Sequence, residues 1–378
     1  HPAHPPPRSE MSAMAEPGSL APSGAPDPDL PGIRTAVERT LDDFLDGKAR
    51  DAERDDMPPE VIGTLRDFVL RGGKRLRPLL CACGWYAAGG TGDPTAVVRV
   101  GAALELFHAF ALVHDDLMDR SATRRGRPAV HRALADRYRS TRDHATAERL
   151  GVGSAILLGD LACVWSCELL HTAPLTPRQF SALLPVVHAM RTEVMYGQYL
   201  DLLATGEPTA DVRGPLRVAR YKTATYTCER PLHAGAALAG GPEAVLDACT
   251  AYALPLGEAF QLRDDLLGVF GDPRATGKSR LDDLREGKHT ALVALALDQG
   301  DPGQRAELLR LVGDSELDER GAARVRALLT GTGARAGVEH MIRARRAQAL
   351  HALCTAPFPP AVAAVLRDLA DSLTERSA

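Results

Sequence analysis

Aromatic residues are scarce in this sequence: Phe, Trp and Tyr together make up 4% of its 378 residues. Strands favour aromatic and β-branched residues, whereas the abundant Ala and Leu favour helices. No stretch alternates apolar and polar residues for long enough to form a sheet, and no helix-pair repeat of fixed period is present. The composition therefore predicts an all-α protein and argues against a solenoid.

Long hydrophobic runs and an excess of basic residues are also lacking. No apolar run approaches the roughly 20 residues that span a bilayer, and the first residues lack the hydrophobic region of a signal peptide. The formal net charge is −4, so the charge balance does not point to nucleic acid. We therefore expect a soluble, cytoplasmic protein with no transmembrane segment and no nucleic-acid partner.

Cysteine pairs at zinc-binding spacing are absent. The seven cysteines are scattered, and neither Cys81/Cys83 nor Cys163/Cys167 is followed by a second pair. We interpret them as small buried residues in a reducing compartment.

The first 32 residues differ in composition from the rest of the chain. They are rich in Pro, Ala, Gly and Ser without periodicity, which predicts a disordered tail. From Ile33 onward, apolar residues recur at helical spacing, so residues 33–378 are expected to form a single all-helical domain. Within it, the segment 271–289 is interpreted as a glycine-rich loop.

An acidic stretch is followed closely by a basic one between residues 105 and 127, which read ELFHAFALVHDDLMDRSATRRGR. Asp115 and Asp119 are four residues apart, so in a helix they lie on one face and repel each other. A Mg²⁺ ion, which binds carboxylates together with waters and substrate phosphates, would remove this repulsion. Arg124 and Arg125 suit those phosphates. Taken alone, the motif fits a solvated acidic helix end equally well.

A second acidic pair strengthens the metal interpretation. Asp264 and Asp265 again end an apolar helical pattern, in the run FQLRDDLLGVFGD. Two acidic pairs that are far apart in sequence are what facing helices need to hold a metal cluster between them. The residues thus predict a Mg²⁺ and phosphate site between two helices.

A further basic segment, GGKRLRP at residues 72–78, has the same chemistry. Its glycines let the backbone approach a ligand, and Lys74 and Arg77 can converge on an anion. The alternative is a helix C-cap followed by a solvated basic helix start.

His108 lies two turns before Asp115 on nearly the same face, so it is a candidate diphosphate donor. A core histidine with a satisfied ring nitrogen is its alternative.

In this order, the motifs resemble those of the trans-type isoprenyl diphosphate synthases, or polyprenyl synthetases. The resemblance extends from about residue 60 to 300. The matching segments are GGKRLRP at 72–78, ExxH at 105–108, DDLMD at 115–119, Arg124-Arg125, GQxxD at 197–201, Lys222-Thr223, FQxxDD at 260–265, Lys278 and Lys288. Each is weak alone, and together they are specific. The resemblance implies a helical bundle around a deep apolar cavity, usually in a homodimer.

The resemblance also implies a role for each matching residue. Three Mg²⁺ ions would be bound by Asp115, Asp119 and Asp264, with Asp116 and Asp265 as supporting carboxylates. The residues implied for the allylic diphosphate are Arg124, Lys222, Thr223, Gln261, Lys278 and Lys288. Those implied for isopentenyl diphosphate are Lys74, Arg77, His108 and Arg125. Departure of the allylic diphosphate would leave a carbocation that the double bond of isopentenyl diphosphate attacks.

The residues just before the first acidic motif bear on product length. In the family, an aromatic residue five positions before the first aspartate with a small residue at the fourth resembles synthases that make C20 products. Phe110 and Ala111 occupy these positions, and Phe107 is a further candidate stop. The expected product is therefore geranylgeranyl diphosphate. Farnesyl diphosphate and longer chains are the alternatives.

The second acidic motif departs from the family's DDxxD pattern, because its last position is Gly268. The missing carboxylate is expected to weaken Mg²⁺ binding there without abolishing activity, since Asp264 is the expected direct ligand.

Two other classes of protein remain as alternatives. A class I terpene cyclase would carry an NDxxSxxxE-like motif, which is not found after residue 200. A non-catalytic partner subunit would typically lack the first acidic motif.

Overall fold

The first half of the chain folds into helices joined by short connections. The computed structural model describes residues 25–277 and 279–375. The helices before residue 205 are α1 (Leu30–Arg54), α2 (Pro59–Leu70), α3 (Leu76–Ala87), α4 (Thr95–Met118), α5 (Val130–Tyr138), α6 (His144–His171) and α7 (Pro177–Ala204). Between α4 and α5, β1 (Thr123–Arg124) pairs antiparallel with β2 (Arg127–Pro128). This small hairpin was not expected in an all-α protein, and it carries Arg124 and Arg125.

The second half contains a π-helix. Helix α8 (Arg213–Val218) continues into the π-helix Ala219–Glu229 and then into α9 (Arg230–Leu238). The remaining helices are α10 (Glu243–Phe270), α11 (Pro273–Thr276), α12 (Asp282–Glu286), α13 (Ala291–Gln299), α14 (Pro302–Leu311), α15 (Glu319–Gly331), α16 (Ala334–Thr355) and α17 (Pro360–Thr374). The segment expected as a loop thus contains α11 and α12, which end at Gly277 and Gly287 with φ of 69° and 70°.

Helix α1 shows how the sequence pattern produces a core-facing helix. Apolar residues at every fourth position are buried: Ile33, Val37, Leu41 and Leu45. The side chain of Asp29 accepts a hydrogen bond of 3.0 Å from the Gly32 N–H and caps the first turn. The helix therefore begins at Leu30, before the expected boundary at residue 32. Residues 1–24 of the expected tail lie outside the described residues.

Helices α4 and α10 form two walls of the molecule's main cavity. Helix α4 packs against α6, α3 and α1, while α10 packs against α16 and the π-helix. Each carries an acidic motif in its last two turns, because α4 ends at Met118 and α10 at Phe270. The fold therefore brings the carboxyl-terminal turns of both helices to the same cavity.

Two helices contradict the expectation that no apolar segment approaches the length of a membrane span. By length and composition alone, α4 and α6 both qualify. The apolar window of α4 is 67% buried, so its composition follows from packing on nearly every side. The window of α6 is only 33% buried, and its exposed apolar residues are Val152, Ile156, Leu157 and Val164. An apolar face of α6 is thus left uncovered in a single chain.

Candidate active site

A cavity of about 1080 Å³ lies between α3, α4, α7, the π-helix and α10. Charged and polar groups on its wall include Lys74, Arg77, His108, Asp115, Arg124, Arg125, Lys222, Thr223, Gln261, Asp264, Asp265 and Lys288. Its apolar lining includes Phe110, Ala111, Leu112, Met118, Val194, Met195, Tyr199 and Leu202. The fold therefore brings most of the residues singled out from the sequence to one cavity that also has an apolar compartment.

The carboxylates of the first acidic motif have three different environments. Asp116 is buried and accepts hydrogen bonds from Arg124 Nε at 3.0 Å and Nη2 at 2.5 Å. Asp115 borders the cavity, where burial alone would raise its pKa, but Lys222, Lys288 and Arg124 outweigh that effect and lower it. Asp119 lies in a small adjoining pocket. Burial and the negative charge of Asp115 raise its pKa to about 6.

Lys222 is held inside the cavity wall by two carboxylates. Its Nζ atom is 2.9 Å from Asp115 Oδ1 and 2.7 Å from Asp201 Oδ2. Because Lys222 lies in the π-helix and Asp201 on α7, these two elements must come very close. Gly197 allows this approach, since a Cβ atom there would overlap the backbone of Lys222. The glycine and aspartate of the GQxxD motif therefore position the lysine.

A chain of hydrogen bonds joins the π-helix to the second acidic motif. Thr223 Oγ1 donates to Gln261 Oε1 at 2.6 Å, and Gln261 Nε2 donates to Asp265 Oδ1 at 2.9 Å. Burial raises the pKa of Asp265 to about 7. Asp264 borders the cavity beside this chain. Gln261 thereby orients the second carboxylate of the motif, and both carboxylates border the cavity.

Lys288 adds a second half-buried cation near the acidic groups. Burial alone would lower its pKa, but Asp283, Asp201, Asp119 and Asp115 outweigh that effect and raise it well above its usual value. Lys288 is therefore charged at neutral pH. Lys278, the other lysine proposed for the allylic diphosphate, lies outside the described residues.

The two arginines Arg75 and Arg77 of the GGKRLRP segment, which runs into the first turn of α3, make different contacts. Arg75, at φ 52°, is buried and donates to Glu105 Oε1 at 2.9 Å, so it anchors the segment to α4. Arg77 borders the cavity, donates from Nη2 to Thr227 at 2.6 Å and lies 4.3 Å from the Tyr226 ring centroid. Its buried Nε has no hydrogen-bond partner in the protein. Such an orphaned donor fits a phosphate oxygen.

His108 is held in its neutral form beside Arg77. Its Nδ1 is 3.2 Å from the hydroxyl oxygen of Tyr226. Burial, and then Arg77, Arg125, Arg124 and Arg75, lower its pKa well below the usual value. Burial raises the pKa of Tyr226 to about 12, so its hydroxyl stays protonated and can donate to Nδ1 when that nitrogen carries no proton. In that tautomer the proton of His108 is on Nε2, where the ring acts as a donor.

Phe110 and Ala111 border the cavity one turn before Asp115, whereas Phe107 does not. Phe107 is fully buried behind Phe110, with the two ring centroids 5.1 Å apart. On its other side Phe110 contacts the His114 ring, at 4.8 Å between centroids. The Phe110 ring is thus supported from both sides and forms a fixed part of the cavity wall.

The site residues expected from the sequence did not include Asp201, Tyr226 or Asp283, although Asp201 belongs to the GQxxD motif. Asp201 gave a signal, since it interrupts the apolar pattern of α7. Tyr226 lies four residues after Lys222, which places it on the same element but does not show that it contacts Arg77. Asp283 had no local signal, because its place at the cavity depends on how α12 packs.

The donor chemistry fits divalent cations shared with phosphate oxygens. Within residues 25–277 and 279–375, no three His, Cys, Asp or Glu side chains are clustered to hold a metal ion by themselves. Mg²⁺ usually takes only one or two carboxylates and completes its shell with waters and substrate phosphates. Asp115 and Asp264 border the cavity and Asp119 borders the adjoining pocket, where neighbouring lysines and arginines can meet the phosphates.

A family model and a solved structure place this chain among the same group of proteins. The model of the polyprenyl synthetase family matches residues 59–329. The solved structure of geranylgeranyl pyrophosphate synthase from Corynebacterium glutamicum, complexed with isoprenyl diphosphate and magnesium, has a TM-score of 0.88 at 39% identity. The similarity covers 92% of this chain and 100% of that chain.

Similar curated proteins differ in the products for which they are named. The (2E,6E)-farnesyl diphosphate synthase of Mycobacterium tuberculosis is 33% identical over 309 residues, which cover 81% of this chain and 80% of that protein. The geranylfarnesyl diphosphate synthase of Aeropyrum pernix is 31% identical over 273 residues, which cover 71% of this chain and 80% of that protein. Similarity alone therefore leaves the product length open.

Proposed function

Because the chain belongs to the polyprenyl synthetase family and is an isoprenyl diphosphate synthase, we propose that it elongates allylic diphosphates to geranylgeranyl diphosphate. The observation that carries the C20 assignment is the cavity wall one turn before Asp115. There the Phe110 ring faces the cavity and small Ala111 lies beside it. A growing chain that reaches the ring would have to overpack a closed apolar space, which is costly.

The allylic diphosphate is assigned to the acidic side of the cavity. Bound Mg²⁺, proposed as three ions held by Asp115, Asp119 and Asp264, would stabilise the negative charge on the leaving diphosphate. Lys222 is fixed there by Asp115 and Asp201 before any substrate arrives, and Lys288 lies near enough to the acidic groups for their charges to raise its pKa. Preorganised cations need no rearrangement as charge develops, so they lower the barrier to ionisation.

Isopentenyl diphosphate is assigned to the basic side. Arg77 offers its unpartnered Nε, neutral His108 offers Nε2, and Arg125 and Lys74 also border this part of the cavity. These donors would hold the second diphosphate and orient its double bond toward the allylic carbon. Holding both reactants in one geometry turns a bimolecular step into an effectively unimolecular one.

We propose that a second copy of this chain covers the exposed apolar surface on α6 and α7. Besides the α6 residues given above, exposed apolar residues on α7 are Met195, Tyr196, Tyr199, Leu202 and Leu203. Met195, Tyr199 and Leu202 also border the cavity, so a partner seated there would close its wall. This dimer, and not a membrane, is the proposed occupant, in agreement with a cytoplasmic enzyme.

Substitution of an exposed α7 residue tests the dimer. Leu203→Glu would place a charge in the interface, so light scattering should give the monomer mass for the variant and the dimer mass for the unchanged chain. Leu309→Glu is the matched control, because Leu309 is similarly exposed on α14, away from this surface. A Leu203→Glu variant that kept the dimer mass would rule out this interface.

A condensation assay tests the proposed reaction. The purified chain alone is mixed with Mg²⁺, isopentenyl diphosphate and an allylic diphosphate. Consumption of both diphosphates with release of pyrophosphate supports the proposal. Cyclisation of the allylic substrate without use of isopentenyl diphosphate would indicate a terpene cyclase. No reaction would indicate a non-catalytic subunit.

A further inference from the structure

The two acidic motifs of this chain differ by one carboxylate. Helix α4 and its C-cap supply Asp115, Asp116 and Asp119, whereas α10 supplies only Asp264 and Asp265 within the same spacing. The α10 position that corresponds to Asp119 is Gly268. If both motifs bind divalent cations, α10 does not supply the third carboxylate of the second motif.

A carboxylate from another helix occupies the space beside Gly268. A Cβ atom placed on Gly268 would overlap Oδ2 of Asp283 and would lie 3.3 Å from its Cγ. Asp283 belongs to α12, which follows α10 after α11. Glycine at position 268 is therefore what allows the Asp283 carboxylate to lie against α10.

Asp283 lies between the two motifs. It borders the main cavity together with Asp264, and it also borders the small pocket that contains Asp115 and Asp119. Its carbonyl oxygen accepts a hydrogen bond of 3.1 Å from the Lys288 N–H, which fixes α12 relative to the following lysine. The side chain is thus held at the acidic end of the cavity by the backbone that carries it.

We propose that Asp283 supplies the third carboxylate of the second acidic site and contributes it to the divalent cation assigned to Asp264. The carboxylate missing at position 268 is, on this view, provided from α12. Divalent-cation binding at the second motif is then not weakened by Gly268, contrary to the expectation from sequence. The inference rests on the proposed function, and its test uses cation binding without turnover.

The first arm of the test measures Mn²⁺ binding in the presence of inorganic pyrophosphate, from the electron paramagnetic resonance signal of free Mn²⁺. Asp283→Asn keeps the size of the side chain and removes its charge. We expect one class of site to weaken by at least roughly 10- to 100-fold, the loss typical when a group that only supports a metal's ligands is removed. Asp298→Asn, an exposed carboxylate on α13, is the control and should bind as the unchanged chain does.

The second arm moves the carboxylate from α12 to α10. In Gly268→Asp/Asp283→Ala, the Cβ atoms at 268 and 283 would be 3.9 Å apart, which is ordinary contact. This double variant should recover most of the Mn²⁺ affinity that Asp283→Ala loses. Gly268→Asp alone forces two carboxylates into one space and should lower the unfolding temperature.

Two results would overturn the inference: unchanged Mn²⁺ binding by Asp283→Asn, or a double variant that binds no better than Asp283→Ala. If circular dichroism shows the double variant to be unfolded, the isosteric Asp283→Asn decides. A role limited to supporting Lys288 would lower the unfolding temperature of Asp283→Asn and leave Mn²⁺ binding intact, which also counts against the inference. Failure of the proposed function looks different, because the unchanged chain would then fail the condensation assay, whatever the effect of Asp283→Asn on Mn²⁺ binding.

Discussion

Lys222 on the π-helix and Asp115 on α4 form an ion pair, with Nζ and Oδ1 2.9 Å apart. The pair joins the first acidic motif to the element that also carries Thr223 and Tyr226. Because Lys222 lowers the pKa of Asp115, the carboxylate is ionised before a cation arrives. π-Helical segments occur often at functional sites, and here the segment directs the lysine into the cavity.

Removal of either proposed principal metal ligand should abolish turnover. Asp115→Ala and Asp264→Ala each take away a carboxylate and leave the surrounding cations unbalanced. We expect a loss of at least about 100-fold in kcat, similar to the loss of one strong electrostatic contact in a transition state. Steady-state release of pyrophosphate measures it. Asp247→Ala, at an exposed position on α10, is the control. Near-normal turnover of Asp115→Ala or of Asp264→Ala would contradict a site built from both motifs.

The two diphosphate sites should be separable by their effects on KM. Arg77→Ala should raise the KM for isopentenyl diphosphate about 10-fold or more, since a hydrogen bond to a charged group contributes about 1.5–3 kcal/mol. Lys222→Ala should act mainly on the allylic substrate. Arg99→Ala, which removes a cation outside the cavity lining, controls for net charge. Equal effects of Arg77→Ala and Lys222→Ala on both substrates would show that the assignment is wrong.

Product length should respond to the two residues before the first motif. Phe110→Ala removes the ring from the cavity wall and should shift the product to C25 or longer, while Ala111→Phe should shorten it toward C15. Adding Phe107→Ala to Phe110→Ala should lengthen the product further if Phe107 is a second stop. Mass spectrometry of the dephosphorylated products measures this. An unchanged distribution for Phe110→Ala would place the stop on another helix.

His108 should contribute to the pH dependence of stability. Its pKa is lowered in the folded protein, so below about pH 6.5 the unfolded chain binds a proton that the folded chain does not. Stability should therefore fall as the pH drops below that value, by up to about 1.4 kcal/mol per pH unit from this residue. Urea unfolding of the unchanged chain and of His108→Asn between pH 7.5 and 5 isolates the effect. Identical slopes would show that the pKa of His108 is the same in the folded and the unfolded chain.

Local spacing was sufficient to predict the helical fold and the acidic motifs. The helix that carries Asp115 is an example, because the apolar helical pattern before the motif coincides with α4, which begins at Thr95. Family and fold are confirmed by the comparisons. These features follow from residues three or four positions apart, which sequence periodicity detects.

Features that depend on long-range packing could not be predicted in this way. The ion pairs of Lys222 join α4, α7 and the π-helix, and lysines in apolar helices more often reach solvent. Arg75 and Arg77 look equivalent in sequence, yet Arg75 is ion-paired with Glu105 of α4, whereas Arg77 donates to Thr227 of the π-helix. The sequence likewise could not show that the carboxylate of Asp283 lies against Gly268, because this contact depends on how α12 packs on α10.

The central claim, an isoprenyl diphosphate synthase that stops at C20, is tested most directly by product analysis. The purified chain is incubated with Mg²⁺, excess isopentenyl diphosphate and, in separate reactions, C5, C10 or C15 allylic diphosphates, and the products are identified by mass. We predict that geranylgeranyl diphosphate accumulates from every accepted starter. Accumulation of a C15 product, or of chains of C25 and longer, would contradict the assignment.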